Sequence, residues 1–502
     1  MKIGKSLLLG SAAVLVAVVG AQAADLPVKA KPVEYVRVCS LYGAGFWYVP
    51  GTDTCLQIGS FIREEVGWNE SGGIAIGLNA LGGQFTRTDT SQLGFRTRAA
   101  IRVDLRTQTE YGTLRSFLVG GFETTGATGG APGNDVVFFG RGFVQFAGFT
   151  AGRIRSFFDI NSPSVYAYLQ QPANGDSDYN FRGLWGIAYT AQFGNGVSAS
   201  ISFEDGGSSS QGNSAGQIRG RGDRVVNLSM GSQFGLGTTS YDNGGWIFPD
   251  VIGALRIDQV WGYAQVSAAL HNANPGYYQT GGAALAAGIQ NNGHPDDARG
   301  FAVSAGFTLN DVLGWKGDTF SVQATYSEAA SSYPTPPAAY QLYGSGNNAG
   351  FGWFSDGVFV TGSNVELTTV WSINGGFQHF WSPRWRTSLY GGYLEVDYDG
   401  AATTFICGAS AGGAVAAPVG VAMTAVSNCN PNFSLWNVGS RTQWNPHPDL
   451  DVGVDVMWNH LNTAFAGTAV LAANGARPGG LYNINDQDVV SAVFRIQRNF
   501  LP

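Results

Sequence analysis

The sequence predicts an all-β protein: a transmembrane antiparallel β-barrel of about 16 strands with one loop folded into its lumen. The first observation is a regular alternation of apolar and polar residues, which gives a strand one oily face and one wet face. In the last segment, 490–500, the apolar face holds Val490, Ala492, Phe494 and Ile496. The second observation is an N-terminal export signal. Exported chains built from such strands are typical of outer-membrane barrels.

The export signal occupies residues 1–23. Lys2 and Lys5 form a positive start, 7–19 is apolar, and 21–23 reads Ala-Gln-Ala, which is a cleavage motif. A single membrane-spanning helix is the alternative, but the apolar run is shorter than the ~20 residues such a helix needs. We therefore predict a mature chain that starts at Ala24. Removal of the two lysines would change the net charge from −7 to −9.

The composition supports one barrel domain over residues 24–502. Charged residues make up 13% of the chain and aromatic residues 13%, and there are 73 glycines. Soluble globular proteins average about 25% charged residues and about 7% glycine. A soluble all-β repeat protein would also be rich in glycine, but it would seldom hold so few charges. Because no linker divides the chain, we predict an N-terminal segment at 24–55 and barrel strands and loops at 56–500.

The clearest strand lies at 93–106. Its apolar face holds Leu93, Phe95, Thr97, Ala99, Ile101, Val103 and Leu105. Its other face holds Arg96, Arg98, Arg102, Asp104 and Arg106. A charge on the lipid face costs roughly 2–4 kcal/mol at the midplane, so these arginines must face the lumen. In a soluble sandwich the same face would be solvated, but the signal peptide and the other strands favour a barrel.

Further strands are predicted along the whole chain. The same alternation occurs at 301–310, 320–327, 384–393 and 451–459. Other candidate segments lie near 56–68, 110–122, 136–157, 180–205, 251–271, 366–380 and 433–444. The total is 16 or 17, and single-chain bacterial barrels have even strand numbers, so we predict 16. The segment 223–232 is the one most easily mistaken for a strand.

Connections should alternate between short turns and long external loops. Short turns are predicted at 108–111 and 193–197. Long polar loops are predicted at 70–90, 205–222, 272–298, 329–364, 398–432 and 462–485. Tryptophans near strand ends should form the interfacial girdles of the barrel, although a soluble core would also hold them. They are Trp68, Trp381, Trp385, Trp444 and Trp458.

Four cysteines are consistent with an oxidising compartment. Cys39 and Cys55 are 16 residues apart, and Cys407 and Cys429 are 22 apart. Local pairing would close two loops worth roughly 3 kcal/mol each, but four cysteines allow three pairings. A metal site is not expected, since there is no Cys-x-x-Cys and the five histidines are scattered. We expect no cofactor and no enzyme activity, because no nucleophile–base set is visible.

Four segments resemble the alphaproteobacterial porin family. They are the run Val33–Gly59, with its Cys-Ser-Leu-Tyr-Gly-Ala-Gly-Phe-Trp-Tyr core, and 146–159, 379–393 and 493–500. The resemblance implies a water-filled, trimeric, 16-stranded porin in the outer membrane of a Gram-negative bacterium. It implies passive diffusion of small hydrophilic solutes and ions, and it supports the pairing of Cys39 with Cys55.

The resemblance also implies partners. These are outer-membrane lipid and lipopolysaccharide, two further copies of the chain in a homotrimer, and the outer-membrane assembly machinery, with no nucleic acid. The assembly signal would be the last strand, with Phe494, Ile496 and Phe500. Porins of this kind usually end at the terminal Phe, whereas here Leu501 and Pro502 follow. These two residues put recognition of the last strand in question.

In such a pore, charged groups at the narrowest point set the selectivity. The basic side would be Arg96, Arg98, Arg102 and Arg106, with Arg115 and Arg155 added by neighbouring strands. The acidic side would be a loop at about 158–180 that carries Asp159, Asp176 and Asp178. Opposed charges would create a transverse field that aligns polar solutes. Alternatively, the arginines pair only with wall carboxylates such as Asp104 and bind no solute.

Other functions are weighed against a general pore. A substrate-specific channel, for a sugar, a small acid or another polar solute, is the main alternative. A plugged transporter would need a folded plug, and too few residues precede the first strand. A closed structural barrel would have a filled lumen, whereas small inward residues are expected to leave space. They are Gly94, Ala100, Gly392 and Gly453.

Overall fold

The computed structural model describes most of the chain. The described residues are 37–69, 93–126, 134–161, 165–177, 183–205, 221–230, 234–235, 238–239, 242–245, 247–278, 293–335, 339–408, 422–473 and 477–500. The predicted signal peptide, Asp178, Leu501 and Pro502 lie outside them. Within the described residues, no helix is both long enough and apolar enough to cross a membrane.

Sixteen antiparallel strands form one closed sheet. They are β1 (Thr54–Trp68), β2 (Leu93–Thr109), β3 (Gly112–Gly126), β4 (Asn134–Phe146), β5 (Phe149–Ile154), β6 (Leu184–Gly194), β7 (Val197–Glu204), β8 (Asp250–Gln259), β9 (Gly262–Ala273), β10 (Ala298–Asn310), β11 (Thr319–Glu328), β12 (Glu366–Ser382), β13 (Trp385–Tyr398), β14 (Phe433–His447), β15 (Leu450–Asn462) and β16 (Gln487–Phe500). Each strand pairs with the next, and β16 pairs with β1 from Ser60 opposite Phe500 to Trp68 opposite Ala492. The predicted fold and strand number are confirmed.

The segment suspected of being a false strand is not part of the barrel wall. It contributes only the short strand Val225–Asn227, which pairs in parallel with Gly357–Phe359. The predicted division at residues 23 and 55 stays a prediction. The barrel wall itself begins at Thr54.

The two faces of the wall differ as the alternation predicts. On β2, Leu93, Phe95 and Ile101 are about half exposed on the outer face, whereas Arg96 and Arg98 are buried inside the barrel. Large apolar side chains that remain exposed across a closed sheet would destabilise a protein in water. They are the expected surface of a barrel in lipid.

Short and long connections alternate around the barrel. The short ones are 110–111, 147–148, 195–196, 260–261, 311–318, 383–384 and 448–449. We call their side the short-turn end and the other the long-loop end. Asn195 and Gly196 both have positive φ, as two-residue hairpin turns require. A Cβ at Gly196 would lie 1.9 Å from the carbonyl oxygen of Asp258, so no larger residue fits this turn.

Tryptophans form two belts on the outer face of β12–β15. Trp385 and Trp444 stack at the short-turn end with ring centroids 5.7 Å apart. Trp436 and Trp458 meet edge to face near the long-loop end at 4.5 Å. Trp436 and Trp444 are eight residues apart on β14, which is about 26 Å of extended strand. Because the strands of such barrels tilt by about 35–45°, this length spans about 20 Å across the membrane, which is most of the apolar band of about 25 Å.

The long loops after β11, β13 and β15 are not simply polar, as the sequence suggested, but form a folded cap. Five strands make its sheet, in the order Ala339–Tyr343, Asn348–Trp353, Gly480–Ile484, Ala466–Leu471 and Ala422–Asn428. A helix, α1 (Gly400–Gly408), contributes Ala402 and Ile406 to the hydrophobic core of the cap. Buried aromatic residues such as Tyr340, Phe351 and Phe354 lie in the same core. These aromatic residues lie in loops and short strands, where apolar and polar residues do not alternate over a long stretch, so periodicity did not reveal them.

The remaining described elements are short. They are the strands Trp47–Tyr48, Phe234–Gly235 and Thr238–Thr239 and the 3-10 turns Ser40–Tyr42, Leu228–Met230 and Val312–Gly314.

Both disulfides join the local partners. Cys39 bonds to Cys55 and Cys407 bonds to Cys429. The first holds the N-terminal segment against β1, where Trp47 pairs with Leu56. The guanidinium of Arg106 lies 4.9 Å from the ring centroid of Phe46, so this segment sits at the lumen side of the short-turn end.

We expect the cap to loosen when its disulfide is removed. Cys407→Ser combined with Cys429→Ser opens a loop of 22 residues, which corresponds to roughly 3 kcal/mol in the chain-entropy model. The cap should then be cleaved by proteinase K under conditions in which the wild type resists, while the barrel keeps its heat-modifiable migration. Removal of Cys39 and Cys55 is the control, because that bridge lies at the other end. A cap that stays resistant would contradict the prediction.

Candidate functional site

The loop between β5 and β6 folds into the barrel. We call its described residues, 155–161, 165–177 and 183, the constriction loop. Residues 166–176 are all buried, although they belong to no strand. The two ends of the loop are pinned together, since the Ser156 amide donates to the Ser177 hydroxyl at 2.9 Å and the Ser177 amide donates to Asp159 at 2.8 Å. The described part of the predicted loop, 158–161 and 165–177, therefore lies inside the barrel, as the sequence predicted.

The first half of the loop binds the inner faces of β9–β11. The backbone N–H of Asn161 donates to the side-chain oxygen of Gln323 at 3.0 Å. The Asn161 side chain accepts from the hydroxyls of Thr308 at 3.0 Å and Tyr263 at 3.1 Å. These polar side chains point inward because their strand neighbours face lipid. They provide the partners that a buried loop backbone requires.

The second half is fixed to β15 by one carboxylate. Asp455 accepts the backbone N–H groups of Tyr168 at 2.6 Å and Leu169 at 3.0 Å. The Tyr390 hydroxyl donates to the other oxygen of Asp455 at 2.6 Å. Hydrogen bonds to a charged acceptor are the stronger kind. Asp455 is therefore the main anchor of this part of the loop.

Two of the small inward residues do not leave open space. A Cβ at Gly453 would lie 2.4 Å from the Tyr168 hydroxyl, and a Cβ at Gly392 would lie 2.8 Å from the Cβ of Ala173. Both glycines accommodate the constriction loop. The sequence interpretation was incomplete here, because periodicity shows which way a residue faces but not what lies against it.

Basic side chains dominate the inner faces of β16 and β1–β4, which we call the arginine wall. Its arginines are Arg63, Arg96, Arg98, Arg102, Arg106, Arg115, Arg141 and Arg495. Among the described side chains of the same inner faces, the carboxylates are Glu65, Asp104 and Glu123. The wall is therefore strongly positive.

Three carboxylates position most of these arginines. Glu65, which is fully buried, accepts from Arg96 at 2.7 Å and Arg495 at 2.6 Å. Arg98 donates to Glu123 at 2.5 Å. Asp104 accepts two hydrogen bonds from Arg106 and two from Arg115. Pairing with Asp104 thus occurs as the alternative interpretation expected, but the arginines outnumber the acids.

Arg102 stands apart from these pairs. Its side chain is exposed on the inner face in the middle of β2. No carboxylate within the described residues lies at ion-pair distance from it. Gly59 is its cross-strand partner, and a Cβ there would lie 2.9 Å from Nη2 of Arg102. The glycine makes room for the guanidinium, which remains available to solutes in the lumen.

The acidic residues lie on the loop. Asp176 accepts from Nε of Arg155 at 3.2 Å, and Asp159 pairs with Arg221 and lies 3.8 Å from Arg155. Arg155 follows the end of β5, so the structure places it beside the acids and not on the arginine wall. Asp178 lies outside the described residues.

A second cluster fixes the loop from the long-loop end. The Arg221 guanidinium stacks on Tyr333 at 4.1 Å, and the Tyr333 hydroxyl donates to Asp250 at 2.6 Å. His271 lies between Asp250, 2.8 Å from Nδ1, and Asp356, 3.4 Å from Nε2. The constriction loop, two long loops and the ends of β8 and β9 are therefore held together.

Asp223 belongs to the same cluster. It accepts from the backbone amides of Asn274 at 2.8 Å and Val225 at 3.2 Å. Burial, with Asp356 nearby, raises the pKa of Asp223 to about 8. An unfolded carboxyl group has a pKa near 3.9. The folded protein therefore holds the proton between about pH 4 and pH 8, and the stability contribution of this group falls as the pH rises through that range.

We expect this loop packing to weaken in alkali. At pH 9 the Val225 amide of the wild type should exchange hydrogen about tenfold faster than that of Asp223→Asn, in which the uncharged side chain keeps one acceptor oxygen and mimics the protonated acid. At pH 5 the two proteins should exchange alike. Hydrogen–deuterium exchange of this segment measures the ratio. A wild-type to variant ratio of exchange rates that is the same at pH 5 and pH 9 would contradict the raised pKa of Asp223.

Several groups at the site were missed from the sequence. Arg63 and Glu65 alternate on β1 in the same way as the arginines of β2, and that signal could have found them. Arg221 and Asp455 gave no such signal, because their roles depend on contacts with the loop across the barrel. Within the described residues, no group of three or more His, Cys, Asp or Glu side chains is placed to hold a metal ion.

Comparisons with known proteins agree with this geometry. A family model described as Porin subfamily matches residues 25–493. Two relatives described as Porin Omp2b, from Brucella abortus (strain 2308) and Brucella melitensis biotype 1, are each 36% identical over 264 residues. Each match covers 51% of this chain and 63% of the relative, so the chain spans less than two thirds of their length. The solved outer membrane channel DcaP of Acinetobacter baumannii has a TM-score of 0.53 at 12% identity, over 90% of this chain and 99% of that chain, which is a likeness of fold.

Proposed function

This chain belongs to the porin subfamily and is an outer-membrane β-barrel of a Gram-negative bacterium, and from this we propose that it forms a water-filled channel for passive diffusion of small hydrophilic solutes and ions. One observation carries the proposal. The constriction loop is bonded to the inner faces of β9–β15 and meets the arginine wall at its edge on β16, where the guanidinium of Arg495 lies 3.7 Å from the ring centroid of Tyr168. Arg102, in the middle of the wall, stays exposed. An exposed arginine therefore faces the remaining lumen.

The charges of this arrangement support a preference for anions. Eight arginines against three carboxylates give the wall a positive potential, while Asp159 and Asp176 are paired with Arg221 and Arg155. Arg96, Arg98, Arg102, Arg106 and Arg115 would form the basic side of the eyelet. Asp159, Asp176 and Asp178 would form the acidic side, with Arg155 among them. The resulting transverse field would orient polar solutes, and apolar ones would have to displace ordered water.

The proposal extends to assembly. We expect a homotrimer surrounded by outer-membrane lipid and lipopolysaccharide. The outer face of β16 presents Phe494, Ile496 and Phe500, each about two fifths exposed, as the segment that the assembly machinery reads. We propose a channel and no enzyme.

A substrate-specific channel is the second candidate. One patch of the arginine wall favours it: Phe117 and Phe143 stack at 5.1 Å, with the guanidinium of Arg115 within 5.5 Å of both ring centroids. A guanidinium beside a flat aromatic surface offers hydrogen-bond donors to a carboxylate and a packing surface to the rest of a small organic acid.

Liposome swelling distinguishes the two candidates. For a general pore, we expect swelling rates with sugars of increasing size to fall smoothly and to rise in proportion to solute concentration. A specific channel would saturate with one solute class and would be inhibited by it. Absence of swelling with every solute, from protein shown to be folded and inserted, would contradict both.

A further inference from the structure

An apolar groove crosses the outer face of β7–β10 near the long-loop end. Its volume is about 520 Å³. The side chains that line it include Ile201, Val251, Leu270, Phe301 and Val303. All of them except Val251 are exposed, so the groove faces lipid rather than the lumen.

The register of the strands explains the groove. Gly253 on β8 pairs with Ala268 on β9, and Ile201 and Val303 lie at the two ends of the same row. The neighbouring rows hold larger side chains, Val251 with Leu270 and Leu255 with Val266. A Cβ at Gly253 would meet no atom within 4 Å. Two small residues between two rows of large ones leave a slot across the strands.

A positive charge lies at the rim of the groove. Arg299 is two residues before Phe301 on β10, on the same outer face and about 7 Å nearer the long-loop end. It is exposed, and its guanidinium lies 5.7 Å from the ring centroid of Phe248, which precedes β8. The exposed Asp296 and Asp297 precede it. Carboxylates and phosphates together bind Mg²⁺, so these acids do not exclude an anionic headgroup.

An apolar slot below a cation matches an anionic lipid. We propose that the groove binds an acyl chain of lipopolysaccharide and that Arg299 pairs with a phosphate of its lipid A headgroup. The long-loop end of an outer-membrane barrel faces the outer leaflet, where lipopolysaccharide is the anionic lipid. The acyl chain gains free energy by burying apolar surface in the groove, and the guanidinium of arginine forms hydrogen bonds that suit a phosphate.

The test uses the purified oligomer in detergent, titrated with lipid A and measured by native mass spectrometry. We expect Gly253→Leu, which fills the slot, to weaken binding about tenfold. Ala191→Leu enlarges a small residue on the outer face of β6 near the short-turn end and is the matched control. It should bind as the wild type does.

The charge is tested separately. Arg299→Gln should weaken lipid A binding about fivefold, and dephosphorylated lipid A should bind the wild type and Arg299→Gln equally. Lys316→Gln, at the short-turn end, is the matched control. Equal affinity of the wild type for a phospholipid of the same chain length would overturn the proposal. So would a change of oligomeric state in Gly253→Leu with unchanged lipid A binding, because the groove would then be a contact between copies.

Discussion

Replacing Arg102 by glutamate is expected to shift the ion selectivity of the channel from anions towards cations by about three- to tenfold. A unit charge about 5 Å from a passing ion contributes roughly 0.8 kcal/mol in water. Charge reversal removes this interaction and adds an equal one of opposite sign, so the energy changes by about twice that amount. Salt at about 0.1 M screens part of the change. Arg102 is the residue to change because it is exposed on the inner face and has no carboxylate partner within the described residues.

The measurement is the reversal potential across a tenfold salt gradient. Arg102→Lys keeps the charge and should keep the selectivity, while Lys316→Glu makes the same reversal of charge outside the lumen and should have little effect. Because Gly59 leaves space beside Arg102, neither substitution at 102 should disturb the wall. An unchanged reversal potential in Arg102→Glu would place the narrowest point elsewhere.

Replacing Asp455 by alanine is expected to release the second half of the constriction loop. The change removes the acceptor of two backbone N–H groups and of the Tyr390 hydroxyl. Hydrogen bonds to a charged group contribute about 1.5–3 kcal/mol each, so the loop should lose most of its attachment to β15. We expect single-channel conductance to rise by about half, with rapid current fluctuations, and larger sugars to enter.

Asp451→Ala is the graded control for this experiment. Asp451 lies on the same face of β15, but among the described loop residues it accepts a hydrogen bond only from the side-chain hydroxyl of Tyr168, at 2.9 Å. Its loss should change the conductance less than the loss of Asp455 does. If both variants conduct as the wild type does, the loop does not define the narrowest point.

The barrel could be predicted in detail because lipid imposes a local rule. Each spanning strand must place apolar side chains at every second position. The resulting alternation can be recognised within a single strand, as at 93–105. The turns were predictable for a similar reason, because Asn195-Gly196 can adopt the positive φ values that a tight hairpin needs.

The cap and the attachment of the constriction loop could not be predicted in this way. Asp455 lies in the predicted strand 451–459, but its partners are the amides of Tyr168 and Leu169, almost three hundred residues away in sequence. Tyr340 and Phe351 lie in short strands of a loop, where no membrane enforces a period. Arg155 was assigned to the basic side of the eyelet because the predicted strand segment 136–157 extends three residues beyond Ile154, where β5 ends.

Single-channel recording of the refolded protein in a planar bilayer, with a salt gradient, tests the central claim most directly. We predict stepwise openings, grouped in threes, and a reversal potential whose sign shows that anions pass more readily than cations. Folded and inserted protein that conducts no current would contradict the claim that the barrel encloses an open channel.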